Sequence, residues 1–183
     1  MTTPHPHGLQ AYRHCPVCGG ALASRLLKAT EPERLVCQSP PCGFVFYQDP
    51  KVAVGTIIAD DEGRIVLVRR AIEPGYGKWV FPGGYVDRGE QVVVAAVREA
   101  REEAGLDIRI GRLLNVYSYA EHAPVIIVYT ATMIGGCLEC DDEGLEARLF
   151  SADEIPWDEL AFRSTRDALR EYLYQENETG SGS

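Results

Sequence analysis

Residues 84–106 read GYVDRGEQVVVAAVREAREEAGL, a glycine-containing turn followed by a run of apolar and charged residues. The run predicts a helix from about Glu90 to Ala104, and Gly105 suits the position just after a helix C-terminus. The buried stripe predicted for this helix comprises Val93, Ala96, Val97, Ala100 and Ala104. The polar residues on its remaining surface are the first indication of what the protein does.

Three glutamates of this segment are predicted to share one helix face. Glu99, Glu102 and Glu103 stand at i, i+3 and i+4, a spacing that brings side chains together on a helix. Like charges so placed weaken a helix by about a few tenths of a kcal/mol per pair. A bound cation would remove the repulsion, and hard carboxylate oxygens favour Mg²⁺ or Mn²⁺. The alternative is a solvated acidic face that binds no metal.

The segment also matches a known motif. Residues 84–106 fit the Nudix box, G-x5-E-x7-R-E-U-x-E-E-x-G-U with U apolar, at every defined position. The chain therefore resembles the Nudix hydrolases, which implies metal-dependent cleavage of a nucleoside diphosphate linked to another moiety. The resemblance assigns Arg98 to orienting the box glutamates and Glu90 to a structural role near the helix start. The Mg²⁺ or Mn²⁺ ligands that it implies are the carbonyl of Gly84 and the side chains of Glu99, Glu102 and Glu103.

The general base is less well defined by the motif. The candidates are Glu102, Glu103 and Glu146. The third lies in EGLEARLF, residues 143–150, where many Nudix enzymes carry a downstream glutamate beside the metals. The alternative for Glu146 is an ordinary surface carboxylate in an acid-rich segment.

The cysteines predict a second metal site. Four of the six form two short pairs, each followed by a glycine: Cys15 with Cys18, and Cys37 with Cys42. Four thiolates complete a tetrahedral zinc site, and a small unit that holds Zn²⁺ draws much of its folding free energy from the metal. The alternative is a set of ordinary buried cysteines. Cys137 and Cys140 have no second pair, so we interpret them as thiols at a turn or strand.

Composition restricts the remaining classes of function. The net charge is −9, from 27 acidic and 18 basic residues, which argues against a nucleic-acid coat or a protein that binds anionic membranes. It does not argue against a phosphate substrate, because bound divalent cations reverse the local charge. No apolar run approaches the ~20 residues of a membrane span. The start of the chain is unlike a signal peptide, so a cytoplasmic location is expected.

The pattern of elements predicts an α+β fold in four segments. These are a disordered lead at 1–11, a small β zinc ribbon at 12–48, a Nudix domain at 49–175 and a flexible tail at 176–183. Strands precede and follow the central helix, and a last helix is predicted at about Arg163 to Tyr174. The family resemblance, rather than the strand count, implies a Nudix α/β/α sandwich after the ribbon.

Resemblance also narrows the substrate. A zinc ribbon before a Nudix domain occurs in NADH pyrophosphatases and in a group that resembles FAD and ADP-ribose pyrophosphatases. The former normally carry an array of the type SQPWPFP after the box, whereas residues 115–124 read NVYSYAEHAP here. FYQDPK at 46–51, FPGGYV at 81–86 and LFSADEIPWDELAF at 149–162 resemble the latter group. The prediction is cleavage of ADP-ribose or FAD to AMP and a phosphate monoester.

Aromatic residues near these segments are candidates for stacking on adenine or flavin, with a core or surface role as the alternative for each. They are Tyr85, Tyr117, Tyr119 and Phe162. Two other functions stay open: an NADH or NAD-capped RNA pyrophosphatase, and a non-catalytic Nudix module that senses a nucleotide. The resemblance suggests a homodimer, and nucleic acid is not an expected partner.

Overall fold

The computed structural model describes residues 12–120 and 124–180. The predicted disordered lead at 1–11 and the last three residues of the predicted tail lie outside the described residues. The chain divides into two compact units with a boundary between Asp49 and Pro50. None of the helices in the described part is long and apolar enough to cross a membrane.

The first unit is a small antiparallel sheet. Its three strands pair in the order β1-β2-β3. Their bounds are Leu22–Arg25 for β1, Arg34–Cys37 for β2 and Val45–Phe46 for β3. Leu35 and Val36 of the middle strand are buried, and the rings of Tyr12 and Phe46 lie 4.7 Å apart. So few buried side chains make a thin core, which is consistent with a unit that needs a metal to fold.

The second unit contains the long sheet and both helices. Its elements are β4 Lys51–Ala59, β5 Ile65–Arg70, β6 Trp79–Val80, β7 Gly83–Tyr85, α1 Val92–Ala104, β8 Leu106–Tyr117, β9 Pro124–Gly136, β10 Gly144–Phe150, a 3₁₀ turn at Trp157–Glu159 and α2 Arg163–Gly180. The strand order is β10-β5-β4-β9-β8, with β6 on β5 and β7 on β4. Strands β4 and β9 run parallel, and the other pairs are antiparallel.

The turn between β4 and β5 is the hairpin that aspartate and glycine predict. The Asp60 carboxylate accepts the backbone N–H of Arg64 at 2.8 Å and that of Glu62 at 3.0 Å. Gly63 has φ 76°, which only glycine adopts readily. Ala59 then faces Ile65 across the antiparallel pair. Local side-chain chemistry is sufficient to specify this turn, which is why the sequence predicts it.

Alternating side chains of the sheet pack against a helix on each face. Ile65 lies in a core cluster with Leu169 of α2, whereas its neighbour Val66 lies in a cluster with Ala100 of α1. Leu67 and Val68 continue the alternation along β5, as the period of two in a strand requires. The two helices therefore cover opposite faces, and the unit is an α/β/α sandwich.

Helix α1 differs from its prediction in start and in buried face. It begins at Val92, and its buried residues are Ala95, Ala96, Glu99, Ala100 and Ala104. Val93 and Val97 are 43% and 37% exposed, so their predicted burial is wrong. Alanines let the helix lie close to β4 and β7, and this orientation turns the two larger side chains toward solvent. Gly105 ends the helix in the left-handed region, at φ 67°, as predicted.

Helix α2 is longer than predicted. It continues through Gly180 instead of ending near Tyr174, so a flexible tail does not begin at residue 176. Side-chain contacts one turn apart support the extension: Tyr174 donates its hydroxyl to Glu178 at 2.8 Å, and Gln175 donates to Glu171 at 3.3 Å. Such i, i+4 pairs stabilise polar helical turns that bury little apolar surface.

Candidate active site and zinc centre

Two tight turns position the cysteine pairs of the first unit. The backbone N–H of Gly19 donates to the carbonyl of Cys15 at 2.9 Å, and that of Cys42 donates to the carbonyl of Ser39 at 2.9 Å. Gly19 and Gly43 have φ of 73° and 60°, so each glycine takes the left-handed conformation that its turn requires. The sequence predicts these two turns because the cysteines of each pair are only a few positions apart along the chain.

The four thiol sulfurs fit a zinc ion. All four Sγ atoms lie within 4.8 Å of one another, with Cys15 to Cys42 at 3.8 Å and Cys18 to Cys37 at 3.4 Å. Tetrahedral zinc with Zn–S bonds of about 2.3 Å places its sulfurs about 3.8 Å apart. Within residues 12–120 and 124–180, no other set of three or more cysteine, histidine or acidic side chains is gathered so closely.

The surroundings of Cys15 also favour a thiolate. Burial is the largest single influence and raises the pKa of this thiol, but hydrogen bonds from the backbone N–H groups of Cys18 and Val17 and from the thiols of Cys18 and Cys42 together outweigh it. The net effect lowers the pKa of Cys15 from its usual 9.0 to about 7. A thiol that loses its proton near neutral pH is suited to ligate zinc, because the thiolate is the form that binds metal.

In the second unit, two glycines bring the backbone of β7 against β4 and α1. Gly83 pairs with Gly55, and Gly84 pairs with Val54. A Cβ on Gly84 would lie 2.5 Å from Oε1 of Glu99, closer than real Cβ contacts come. Only glycine at position 84 leaves this carboxylate in place. The structure identifies Glu99 as the group that this backbone approaches.

Glu103 is held beside the same strand. The backbone N–H of Gly83 donates to its Oε2 at 2.7 Å. Burial raises the pKa of Glu103 to about 7, although the Gly83 hydrogen bond opposes the shift and the charge of Glu99 adds to it. Burial also raises the pKa of Glu99. Two partly desolvated carboxylates therefore lie near each other, an arrangement that raises the free energy of the folded state unless a cation is present.

Arg98 connects the remaining box residues. Its Nε and Nη2 donate to the two carboxylate oxygens of Glu90, each at 2.9 Å. Its Nη1 donates to Glu99 at 2.8 Å and to Glu102 at 2.9 Å, and Nη2 also donates to the carbonyl of Tyr85 at 3.2 Å. The hydrogen bonds of Arg98 lower the pKa of Glu90 to about 2. One guanidinium thus orients three glutamates and the end of β7.

The box residues fit a hard divalent cation by their chemistry. Carboxylate and carbonyl oxygens are the ligands that Mg²⁺ and Mn²⁺ prefer. Glu99 and Glu103 are held by fixed donors, whereas the side chain of Glu102 is 52% exposed and turned to Arg98. The three carboxylates are not gathered as closely as the cysteine sulfurs within the described residues.

Sequence reasoning missed two charged groups near Glu103. Arg70, at the end of β5, lowers the pKa of the Glu103 carboxyl by its charge, and Asp141 raises it. No motif marks either residue, and 33 or more positions separate each from Glu103 along the chain, so only the folded sheet brings them near. They complete a site of mixed charge around one buried carboxylate.

Glu146 lies outside the box, on β10. On β10 it faces Arg69 of β5, next to a register shift between Gly144 and Glu146. Its neighbour Ala147 packs in the cluster that contains α1, so strand alternation directs Glu146 to the opposite face of the sheet. The role of Glu146 as a base or metal residue stays a prediction, which the register of β10 does not favour.

Tyr117 and Tyr119 lie on the α2 side of the sheet. Tyr117 is 9% exposed and donates its hydroxyl to Glu171 at 2.7 Å, and Tyr119 donates to Asp167 at 2.8 Å. Burial and these hydrogen bonds raise the pKa of both phenols, that of Tyr119 to about 12. The Tyr117 ring is part of the core and offers no face to a base, so its predicted stacking role is wrong.

The other two aromatic candidates are placed differently. Tyr85 is 52% exposed and directly follows Gly84, and the Nζ of Lys51 lies 4.5 Å from the centre of its ring. Phe162 lies below the guanidinium of Arg70, whose Cζ is 5.1 Å from the ring centre. Both rings are next to charged groups of the site, and Tyr85 has the more accessible surface.

Comparison with known proteins identifies the family of both units. The NUDIX domain model matches residues 49–172, and the model described as Nudix N-terminal, a zinc ribbon, matches residues 13–48. A solved NUDIX hydrolase from Nitrosomonas europaea superposes with a TM-score of 0.84 at 35% identity, covering 91% of this chain and 93% of that one. The α/β/α sandwich predicted from the resemblance is confirmed.

Two curated relatives differ in the activity that their names state. The ADP-ribose pyrophosphatase of Methanocaldococcus jannaschii is 37% identical over 138 residues, 73% of this chain and 79% of that protein. The NAD-capped RNA hydrolase NudC of Pseudomonas aeruginosa is 28% identical over 145 residues, 79% of this chain but only 50% of that protein. The family match over residues 49–172 and the fully populated box show that this chain belongs to the Nudix hydrolases.

Proposed function

We propose that this protein hydrolyses the pyrophosphate bond of an adenine dinucleotide, ADP-ribose or FAD, to AMP and a phosphate monoester. The observation that carries the proposal is the arrangement of buried carboxylates, in which Gly84 lies against Glu99 and Gly83 donates to Glu103. The similarity to an ADP-ribose pyrophosphatase supports the choice of substrate. The missing NADH-type array in residues 115–124 supports it further.

Divalent cations, Mg²⁺ or Mn²⁺, would neutralise the charge that develops on the pyrophosphate oxygens. The residues that would hold them are Gly84, through its carbonyl, and the side chains of Glu99, Glu102 and Glu103. The protein's own contribution is positioning, because a rigid site does not have to reorganise when the substrate binds. Arg98 contributes to this positioning because its guanidinium holds Glu99 and Glu102 in place.

The general base is proposed among Glu102 and Glu103. Both project from the last turns of α1 beside the other box carboxylates, whereas Glu146 points to the other face of the sheet. Glu102 is the more accessible to water, with a side chain that is 52% exposed. Glu103 is buried and engaged by Gly83, which suits a ligand better than a mobile proton acceptor.

The test is AMP release by the purified full chain with Mg²⁺ or Mn²⁺ from ADP-ribose and FAD. Glu102→Gln keeps the size of the side chain but removes its charge, and we expect it to lose most of the activity. Glu62→Gln is the matched control, because Glu62 lies in the exposed β4–β5 turn away from the box. Full turnover in Glu102→Gln would contradict the assignment of the site, and no AMP from any dinucleotide would contradict the function.

A second candidate is pyrophosphatase activity on NADH or NAD-capped RNA. It is favoured by the similarity to NudC, which extends over 79% of this chain. The same assay decides between the two when NADH and an NAD-capped RNA are included. Higher kcat/KM for either of these than for ADP-ribose and FAD would favour the second candidate.

We also propose that the first unit holds one structural Zn²⁺ through Cys15, Cys18, Cys37 and Cys42. The support is that the Sγ separations of 3.8 Å and 3.4 Å in the structure lie near the sulfur separations of tetrahedral zinc. One equivalent of zinc per chain in metal analysis of the purified protein is the expected result. A preparation that is folded and free of zinc would contradict it.

A further inference from the structure

A small recess lies directly beside the box, at the start of β4 and the end of β7. It has a volume of about 210 Å³ and is lined by Lys51, Val52, Tyr85 and Val86. The two strands pair here, with Ala53 opposite Tyr85. A recess of this size is below the ~300 Å³ at which pockets for whole drug-sized ligands begin, so it suits one part of a dinucleotide.

The recess is attached to the candidate metal site. Tyr85 follows Gly84, and consecutive Cα atoms are only about 3.8 Å apart. The guanidinium of Arg98, which orients Glu99 and Glu102, also donates to the carbonyl of Tyr85 at 3.2 Å. The recess therefore adjoins the backbone that carries the candidate metal ligand Gly84.

Lys51 makes the recess electropositive. Its Nζ lies 4.5 Å from the centre of the Tyr85 ring, on whose face the ammonium makes a cation–π contact. Within residues 12–120 and 124–180, no carboxylate forms a salt bridge with Lys51. Its ammonium is therefore not held in an ion pair within that part of the chain.

We propose that Lys51 is a charge-based specificity determinant of this enzyme. The recess accepts a neutral base or an anionic group against Tyr85, and it disfavours a ring that carries a positive charge. A neutral heterocycle can pack against the edge of the phenol ring while its acceptor atoms face the ammonium. A cationic ring in the same place meets a like charge. This inference rests on the proposed function, because it concerns one half of a dinucleotide substrate.

The matched ligands for the test are NADH and NAD⁺, which are alike in size but differ in the charge of the nicotinamide ring. We expect the wild-type enzyme to hydrolyse NADH with the higher kcat/KM. Lys51→Met should lower the ratio of kcat/KM for NADH to kcat/KM for NAD⁺ (the NADH-to-NAD⁺ ratio), and Lys51→Glu should lower it further. We expect a change of about fivefold, the size of the interaction between two unit charges roughly 4–5 Å apart in water-like surroundings. The effect should lie mainly in KM and weaken as salt is raised.

Lys28→Glu is the control for net charge. It makes the same change of charge as Lys51→Glu, but on an exposed lysine of the first unit that pairs with Glu31. Its NADH-to-NAD⁺ ratio should equal that of the wild type. Thermal unfolding of each variant, followed by circular dichroism, establishes that the compared proteins are folded.

The outcomes separate this inference from the proposed function. If the wild type hydrolyses dinucleotides but both Lys51 variants keep its NADH-to-NAD⁺ ratio, the inference is overturned and the proposed function stands. If no dinucleotide is hydrolysed, the proposed function fails, and calorimetric titration of NADH and NAD⁺ in the presence of Ca²⁺ still tests Lys51. Equal affinities, or no binding of either dinucleotide, would overturn the inference.

Discussion

Replacing Gly84 by alanine adds one methyl group at the point where the backbone of β7 meets the candidate metal site. The new Cβ would lie 2.5 Å from Oε1 of Glu99 and 2.6 Å from both its Cδ and Oε2. Ordinary contact begins at about 3.4 Å, so the carboxylate has to move by roughly 1 Å. Arg98 holds that carboxylate at 2.8 Å, and its surroundings are buried, so the movement breaks an existing contact.

A displacement of about 1 Å in a positioned group costs roughly a hundredfold in rate. We therefore expect Gly84→Ala to lower kcat for AMP release about a hundredfold and to raise the Mg²⁺ concentration needed for half-maximal activity. Stability should change much less, because the atoms that have to move belong to the side chain of Glu99 and not to the backbone. Steady-state kinetics over a Mg²⁺ series with ADP-ribose, and a urea unfolding curve, measure the two effects.

Gly135→Ala is the matched control, because Gly135 also lies in a strand but its Cβ would come no closer than 3.4 Å to Asp107. The shorter acid in Glu99→Asp should remove the clash, so Gly84→Ala should cost less in that background than in the wild type. A Gly84→Ala enzyme within threefold of wild-type kcat/KM at all Mg²⁺ concentrations would refute this reasoning.

Three further predictions concern stability and the first unit. Arg98 lowers the pKa of folded Glu90 from 4.5 to about 2, so its stabilising effect is present above pH 4.5 and is lost as pH falls toward 2. Glu90→Gln should therefore unfold at lower urea than the wild type at pH 7 but not at pH 2, and an equal gap at both would contradict the pairing. Cys18→Ser should reduce bound zinc from one equivalent to none in metal analysis, and zinc retained in full would contradict the ligand set. Leu67→Ala should lower the free energy of unfolding by about 2–5 kcal/mol, because Leu67 is fully buried. Val93→Ala should lower it by under about 1 kcal/mol, because Val93 is half-exposed. Equal losses in urea titrations would contradict the assignment of the core.

Sequence reasoning succeeded where interacting residues are close along the chain. The two cysteine pairs of the first unit, the β4–β5 hairpin and the C-terminal end of α1 all depend on residues within a few positions of one another. The three glutamates of α1 share a face because helix geometry alone brings i, i+3 and i+4 together. The same locality let the box indicate both the chemistry and the family before any tertiary contact was known.

Prediction from the sequence failed where the burial or direction of a side chain depends on how distant elements pack. Val93 and Val97 have the spacing of a buried stripe, but the rotation of α1 on the sheet exposes them. Glu146 has a suitable position in the sequence, but only the register of β10 decides that it and Ala147 face opposite sides of the sheet. Tyr117 is a candidate stacking residue by sequence. In the fold its ring packs with residues of α2, about fifty positions later, and its hydroxyl donates to Glu171.

By itself, the sequence determined the family, the α+β class, the four cysteines that form the zinc-binding pattern, and the carboxylates available for Mg²⁺ or Mn²⁺. Only the tertiary structure decided which groups surround these carboxylates. The backbone N–H of Gly83 donates to Glu103, the charges of Arg70 and Asp141 act on the same carboxyl, and the ammonium of Lys51 lies over the ring of Tyr85. The physical reason is that residue type and short spacing specify local geometry and chemistry. The charge, burial and access that govern specificity come from strands and helices that meet only after the chain has folded.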